Sequence, residues 1–179
     1  ANFKTNGSLE NFFKYAFIGV NRANAVIKKV PEATFNQEQK DRFLGEAYFL
    51  RAWNYFNLVR NFGLVPLHHT VVETVEQTST ALAPNMDAMY DLILSDCRRA
   101  ADLLSVYDTP KIGRADRVAA QALAAKAYLY AASAKEHGVK LYTDMHRDIT
   151  VMYDSAAYYA GEVIDKQTVY GFENSLLDI

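Results

Sequence analysis

The stretch that most limits what this chain can become runs from about Asn36 to Phe62, because its apolar residues leave almost no side of a helix for water. At 3.6 residues per turn, Phe43, Ala47, Leu50 and Leu58 share one region of the surface, Leu44, Tyr48, Tyr55 and Val59 another, and Phe49, Trp53 and Phe56 a third. Such a helix is stable only between neighbours, so the chain must supply further helices on several sides of it. Gly63 stands where the helix should be capped. Val65-Pro66 then forces an extended exit, because the residue before proline disfavours the α region. Trp53, the lone tryptophan, lies mid-helix among Phe49, Tyr55 and Phe56, and core packing is expected of it rather than ligand contact. Arg51 is the odd residue here. A buried guanidinium must be paired, so a structural ion pair or a carbonyl contact is expected.

The neighbours are legible in the same way. Helical spacing predicts a first helix from about Ser8 to Val30, with Phe12, Tyr15, Ile18, Val26 and Ile27 at three- and four-residue intervals and Pro31 after its end. A third, about Asn85 to Ser105, sets Met89, Ile93, Cys97, Ala100 and Leu104 on one stripe and leaves Arg98, Arg99 and Asp102 for water. A fourth, about Asp116 to Ala134, is rich in alanine, which favours helix and close approach, and Asp116 can cap it. A fifth, about Met152 to Lys166, carries Tyr153, Ala156, Ala157, Ala160, Val163 and Ile164. No segment alternates with period two for long, so the fold class is all-α, and 179 residues, half of them hydrophobic, suit a single helical domain spanning 1–179. The first helix starts almost at once after Asn6-Gly7-Ser8, and Phe172 to Ile179 run apolar to the terminus, so the chain reads as a fragment of a longer protein. Asn6-Gly7-Ser8 also fits an N-glycosylation acceptor, but a turn into the helix is the simpler reading.

The second and third helices, and the fourth and fifth, can be laid out as tetratricopeptide-like pairs, with Leu44-Gly45 and Tyr48 in one and Leu123-Ala124 and Tyr128 in the other at the small and aromatic positions. Regular repeats of that class turn in a few residues. Here Leu64 to Pro84 and Lys135 to Val151 are long excursions inside the pairs, and loops of that length are usually functional or disordered.

Little in the chain suggests catalysis. There is no glycine-rich phosphate loop, no Gly-x-Ser-x-Gly elbow, no His-Glu-x-x-His and no paired-cysteine signature. The expectation is a protein that is not an enzyme and needs neither cofactor nor metal. His68 and His69 are adjacent, and in an extended loop their side chains diverge, which serves a shared metal poorly. Asp87 and Asp91 can share a helix face, as can Asp144 and Asp148 if that loop is locally helical, but an acidic residue in a first turn also answers the helix dipole, and for Asp87 that reading is preferred. A net charge of -2 with interleaved signs gives no basic footprint for nucleic acid. No run approaches a membrane span, and Cys97 has no second cysteine to pair with.

The order Phe43-Leu44-Gly45-Glu46-Ala47-Tyr48-Phe49-Leu50-Arg51-Ala52-Trp53, then Tyr55-Phe56, then Gly63-Leu64-Val65-Pro66-Leu67, closely resembles the most recognisable stretch of the SusD/RagB family. Gly113-Arg114 with the alanine-rich helix that follows, Tyr153 with Ala156 and Glu162-Val163-Ile164, and more weakly Asn24 with Val26-Ile27, resemble further family features in the family's order. The resemblance implies a surface-exposed outer-membrane lipoprotein, held by a lipid anchor that is not in this chain, which works with a TonB-dependent, SusC-like transporter in the uptake of oligosaccharides or other nutrients. It also implies that these helices are mainly scaffold and transporter-facing surface, and that most ligand contacts come from loops and from the part of the protein absent here. Sugar rings would stack on aromatic faces while polar side chains bond the hydroxyls. The loop residues His68, His69, Tyr107 and Tyr142 are the candidate ligand contacts. Two alternatives stay open: a tetratricopeptide-type adaptor for a peptide, and a glycan-processing enzyme, which would need two carboxylates about 5 to 10 Å apart across a cleft.

Overall fold

The computed structural model describes residues 7–106 and 113–165, so Asn6, Tyr107 and the residues from Lys166 onward, which carried expectations above, lie outside the described residues. Five helices follow in chain order: α1 Gly7–Lys29, α2 Gln37–Phe62, α3 Met86–Leu103, α4 Arg117–Glu136 and α5 Ile149–Asp165. Each packs on the next, α1 on α2, α2 on α3, α3 on α4 and α4 on α5, which is the antiparallel stacking of a tetratricopeptide-like array. Among the described residues there is no strand, only an isolated antiparallel bridge between Pro66 and Leu82.

The helix starts are set by side chains taking up free backbone N–H groups. Asn36 Oδ1 accepts from Gln39 N at 2.8 Å while Gln39 Oε1 accepts from Asn36 N at 3.2 Å, a reciprocal box at the head of α2. Asn85, Asp116 and Asp148 cap α3, α4 and α5 through the amides of Ala88, Ala119 and Val151. At the other end of α2, Gly63 takes φ 73°, a region that favours glycine, and its N–H reaches Val59 O at 3.0 Å. A Cβ on Gly45 would lie 2.6 Å from Leu104 Cγ, so the missing side chain is what lets α2 close on the end of α3.

Tyr55, Phe56 and Leu58 of α2, Met89, Tyr90 and Ile93 of α3, and Ala127 and Ala132 of α4 are nearly inaccessible and form one continuous core. Burying each large apolar side chain contributes roughly 1.5 to 3 kcal/mol. The stripe expected on α3 is buried as read from spacing, and Tyr90, Leu92 and Leu94 extend it. On α2 the all-round burial does not hold. Leu50 is 50% and Trp53 45% exposed, because α1 and α3 flank the helix while α4 meets it only near its end, where the Tyr130 ring stands edge-on to Phe56. Among the described residues Trp53 is thus outside the core; it lies along Phe49 on the open side, ring centroids 6.3 Å apart. On α1 the buried stripe is Ala16, Val20, Ala23 and Asn24, and Tyr15 points outward at 65% exposure. On α5, Ile164 is likewise exposed.

Candidate ligand groove beside the first long loop

The loop after α2 leaves the helix, runs along α1 and returns to the bridge at Leu82, where Ala83 N donates to Val65 O at 3.0 Å. Its first part is fastened by buried polar side chains. Asn24 Nδ2 donates to His68 O at 2.9 Å and to Thr70 O at 2.8 Å, and Asn21 pairs with both backbone groups of Val72, at 3.1 and 2.7 Å. Tyr55 Oη accepts from His68 N at 2.7 Å. Burial pushes the Tyr55 hydroxyl up to about 12, so it stays protonated.

Arg51 is the keystone of this arrangement. Its guanidinium donates to both oxygens of Asp96, at 2.7 and 2.9 Å, to Asn24 Oδ1 at 2.7 Å and to His69 O at 3.3 Å. The pair is 4% and 0% exposed. Burial works against the guanidinium's charge, but the hydrogen bonds and field of Asp96 more than offset it and hold Arg51 above its ordinary value. Burial likewise pushes the Asp96 carboxyl up, against the pull of Arg51. The charged pair is the form the geometry requires, since both Asp96 oxygens face donors and leave no acceptor for a carboxyl proton. The expected ion pair and the expected carbonyl contact of Arg51 are therefore both present.

Between α1 and this loop lies a groove of about 460 Å³. Phe13, Phe17 and Ile18 form one wall and Pro66, His68 and Val72 the other, with Lys14, Asn21, Arg22 and Thr78 around them. The Phe17 ring meets Phe13 at 4.8 Å and stands edge-on to the His68 ring at 5.5 Å. Phe13 is 37% exposed, enough to offer a ring face. Burial, aided by His69, lowers the His68 pKa, so its imidazole is neutral near pH 7 and can both donate and accept.

The candidate residues part company here. His68 lines the groove, while His69 is exposed and takes part through its carbonyl. Tyr142 does not face solvent at all: it is 4% exposed, and its hydroxyl lies 3.2 Å from that of Tyr90. Its loop turns inward, so the ring fills the core edge and is not open to a ligand. Phe13, Lys14 and Phe17 line the groove, although sequence reading did not single them out. The available signal was that α1 has more aromatics than one buried stripe can use.

The other chemically suggestive groups are structural. Asp87 accepts from His146 N at 2.8 Å and lies 3.0 Å from its Nδ1, and Arg147 pairs with both Asp87 and Asp91. Partial burial opposes the Asp87 charge, yet the His146 hydrogen bonds and the nearby cations hold its pKa below the ordinary carboxylate value. Burial pushes the Cys97 thiol up, leaving it inert. Among the described residues no group of three or more His, Cys, Asp or Glu is placed to hold a metal ion, and no helix is long and apolar enough to cross a membrane.

Comparison with known proteins identifies the family to which this helical array belongs. The chain belongs to the SusD-like family described as starch-binding associating with outer membrane, which matches residues 2–129. SusD-like protein P38 of Formosa agariphila is 36% identical over 88 residues, 49% of this chain and 17% of that protein. A laminarin binding SusD-like protein superposes with a TM-score of 0.68 at 30% identity, covering 85% of this chain and 29% of that one. A SusD superfamily protein from Parabacteroides distasonis gives a TM-score of 0.75 at 25% identity over 91% of this chain and 32% of that one. The chain spans less than a third of the length of these relatives.

Proposed function

We propose that this chain is the helical scaffold, with one ligand groove, of a surface-exposed nutrient-binding lipoprotein that captures oligosaccharides without chemistry and passes them to a TonB-dependent transporter. The observation that carries the reading is the groove between α1 and the first loop, whose walls combine apolar ring faces with a neutral imidazole, a hydroxyl and an ammonium. Aromatic faces match the C–H faces of sugar rings, and the polar rim suits hydroxyls. His68 and His69 remain ligand candidates on this reading, His68 through its ring at the wall and His69 from the exposed side of the same loop. Family membership supports the outer-membrane setting and the transporter partner.

Titration of the full protein that contains this chain against a glycan panel, with reducing ends assayed in the same tubes, tests the proposal. Binding without release is expected, and Phe13→Ala should weaken it roughly tenfold, the loss of one stacking face. Released reducing ends would overturn the non-catalytic reading, and unchanged binding in Phe13→Ala would remove the groove. Co-purification from the native outer membrane should recover a TonB-dependent transporter, and its absence would count against the partnership.

A further inference from the structure

Three hollows of similar size on the described residues differ in charge. The one between α1 and α2, about 480 Å³, shares Arg22 with the groove and adds Glu46, which Arg114 already takes. The one among α3, α4 and α5, about 400 Å³, sets Arg98 and Arg117 against Asp102 and Glu162. The groove beside the first loop, about 460 Å³, has Lys14 and Arg22 in its lining and no carboxylate. This is a local excess of positive charge on a chain whose net charge is -2.

The two cations are also uncommitted. Lys28 pairs with Glu73, Arg51 with Asp96, Arg114 with Glu46 and Arg147 with Asp87 and Asp91, whereas neither Lys14 nor Arg22 makes an ion pair or hydrogen bond within the described residues. Of the carboxylates beside the lining residues Val72 and Thr78, Glu73 is taken by Lys28 at 2.9 Å, and Glu76 turns back on its own backbone and Thr74. Glu10 sits one turn ahead of Lys14 on α1, outside the groove lining. Lys14, Ile18 and Arg22 follow at four-residue steps, so the backbone positions of the two cations lie about 12 Å apart along the helix beside the groove. An uncharged sugar would leave both without a partner.

We infer that the ligand of this groove is an acidic oligosaccharide, one whose sugars carry carboxylate or sulfate groups, with one anion meeting Lys14 and another Arg22 while ring faces lie on Phe13 and Phe17. The inference rests on the oligosaccharide reading above and narrows it. Charge-assisted hydrogen bonds from an ammonium and a guanidinium supply selection that stacking alone cannot, because every pyranose offers an apolar face. Both cations are exposed, so each contact is screened and should change affinity by roughly three- to tenfold.

The test uses the full protein and three probes of equal length: oligogalacturonides for carboxylate, sulfated galactan oligosaccharides for sulfate, and laminari-oligosaccharides as the neutral control. At least one acidic probe should bind roughly ten times more tightly than the neutral one, and that advantage should fade as salt rises from roughly 0.05 to 0.5 M. Lys14→Ala and Arg22→Ala should each weaken the acidic probe roughly three- to tenfold and leave the neutral one unchanged, and Lys14→Arg should restore most of the loss. Which acidic probe wins identifies the anion. If the neutral probe binds as tightly as both acidic ones and responds only to Phe13→Ala, the acidic assignment falls and the oligosaccharide reading stands. If no sugar binds, both fall.

Discussion

The two long excursions inside the helix pairs, 64–84 and 137–148, are secured by different means. The first is fastened from within: its backbone carbonyls take hydrogen bonds from Asn24 and Arg51, and Arg51 is neutralised by Asp96 in the core. The second plugs Tyr142 and Met145 into the core and is then clamped at the surface by Asp87 and Asp91 to His146 and Arg147, and by Lys135 to the carbonyls of Met145 and Arg147. One loop relies on buried polar groups that must all be satisfied. The other relies on apolar plugs, with exposed charges as a supplement. A loop held through its own backbone keeps its side chains free for other work, which suits the loop that walls the groove.

Breaking the buried network should have the largest effect. Arg51→Met or Asp96→Leu alone should each cost about 3 to 5 kcal/mol in chemical denaturation, because the remaining charge is left buried and unpaired. The double replacement should recover much of that loss, while limited proteolysis near His69 still increases for want of the carbonyl contact. Asn24→Leu comes next. Two loop carbonyls and one Arg51 N–H lose their partner, for about 1 to 3 kcal/mol, with faster amide exchange in 68–72 and none in 137–148.

Asp87→Ala should be the mildest, within about 1 kcal/mol, since the His146 side chain it holds is 89% exposed. Its signature would be faster exchange confined to 137–148.

Acid sharpens the contrast. The pKa of His68 is depressed from 6.5, so its contribution to stability is complete above that value and is lost as pH falls through the lower value in the folded protein. Asp87 is depressed from 3.8, and its contribution persists until the pH drops below that point. Amide exchange followed from pH 7 to pH 3 should therefore show the first loop loosening before the second. The reverse order would contradict the account of how each is held.

Much of this fold was open to sequence reading. Helical spacing found all five helices, with ends within a few residues where they fall among the described residues, and the apolar surface of α2 called for more neighbours than the described residues supply. What spacing cannot supply is which side of a helix a loop returns to. Trp53 departs from expectation for a similar reason, since residue type says that tryptophan is usually buried, whereas no described residue covers the side of α2 on which this one lies. Asp96, one of four aspartates on an amphipathic helix, reads as a solvent residue until Arg51 is seen across from it. The groove was hidden in the same way, as Phe13 and Lys14 become a wall only once the loop comes back along α1. Spacing also could not tell that the loop carrying Tyr142 turns inward and buries the ring.

Trp53 has a use that its partial exposure creates. As the chain's single tryptophan it is the natural fluorophore of these helices, and with 45% of its surface open it should emit between the extremes of a buried and a solvated indole and be quenched by acrylamide. It lies on α2 away from the groove lining, so a sugar in the groove should leave its emission unchanged, whereas anything that settles on the open side of α2 should shift it to the blue. The same optical signal thus separates the filling of the groove from the covering of the scaffold, with no label added.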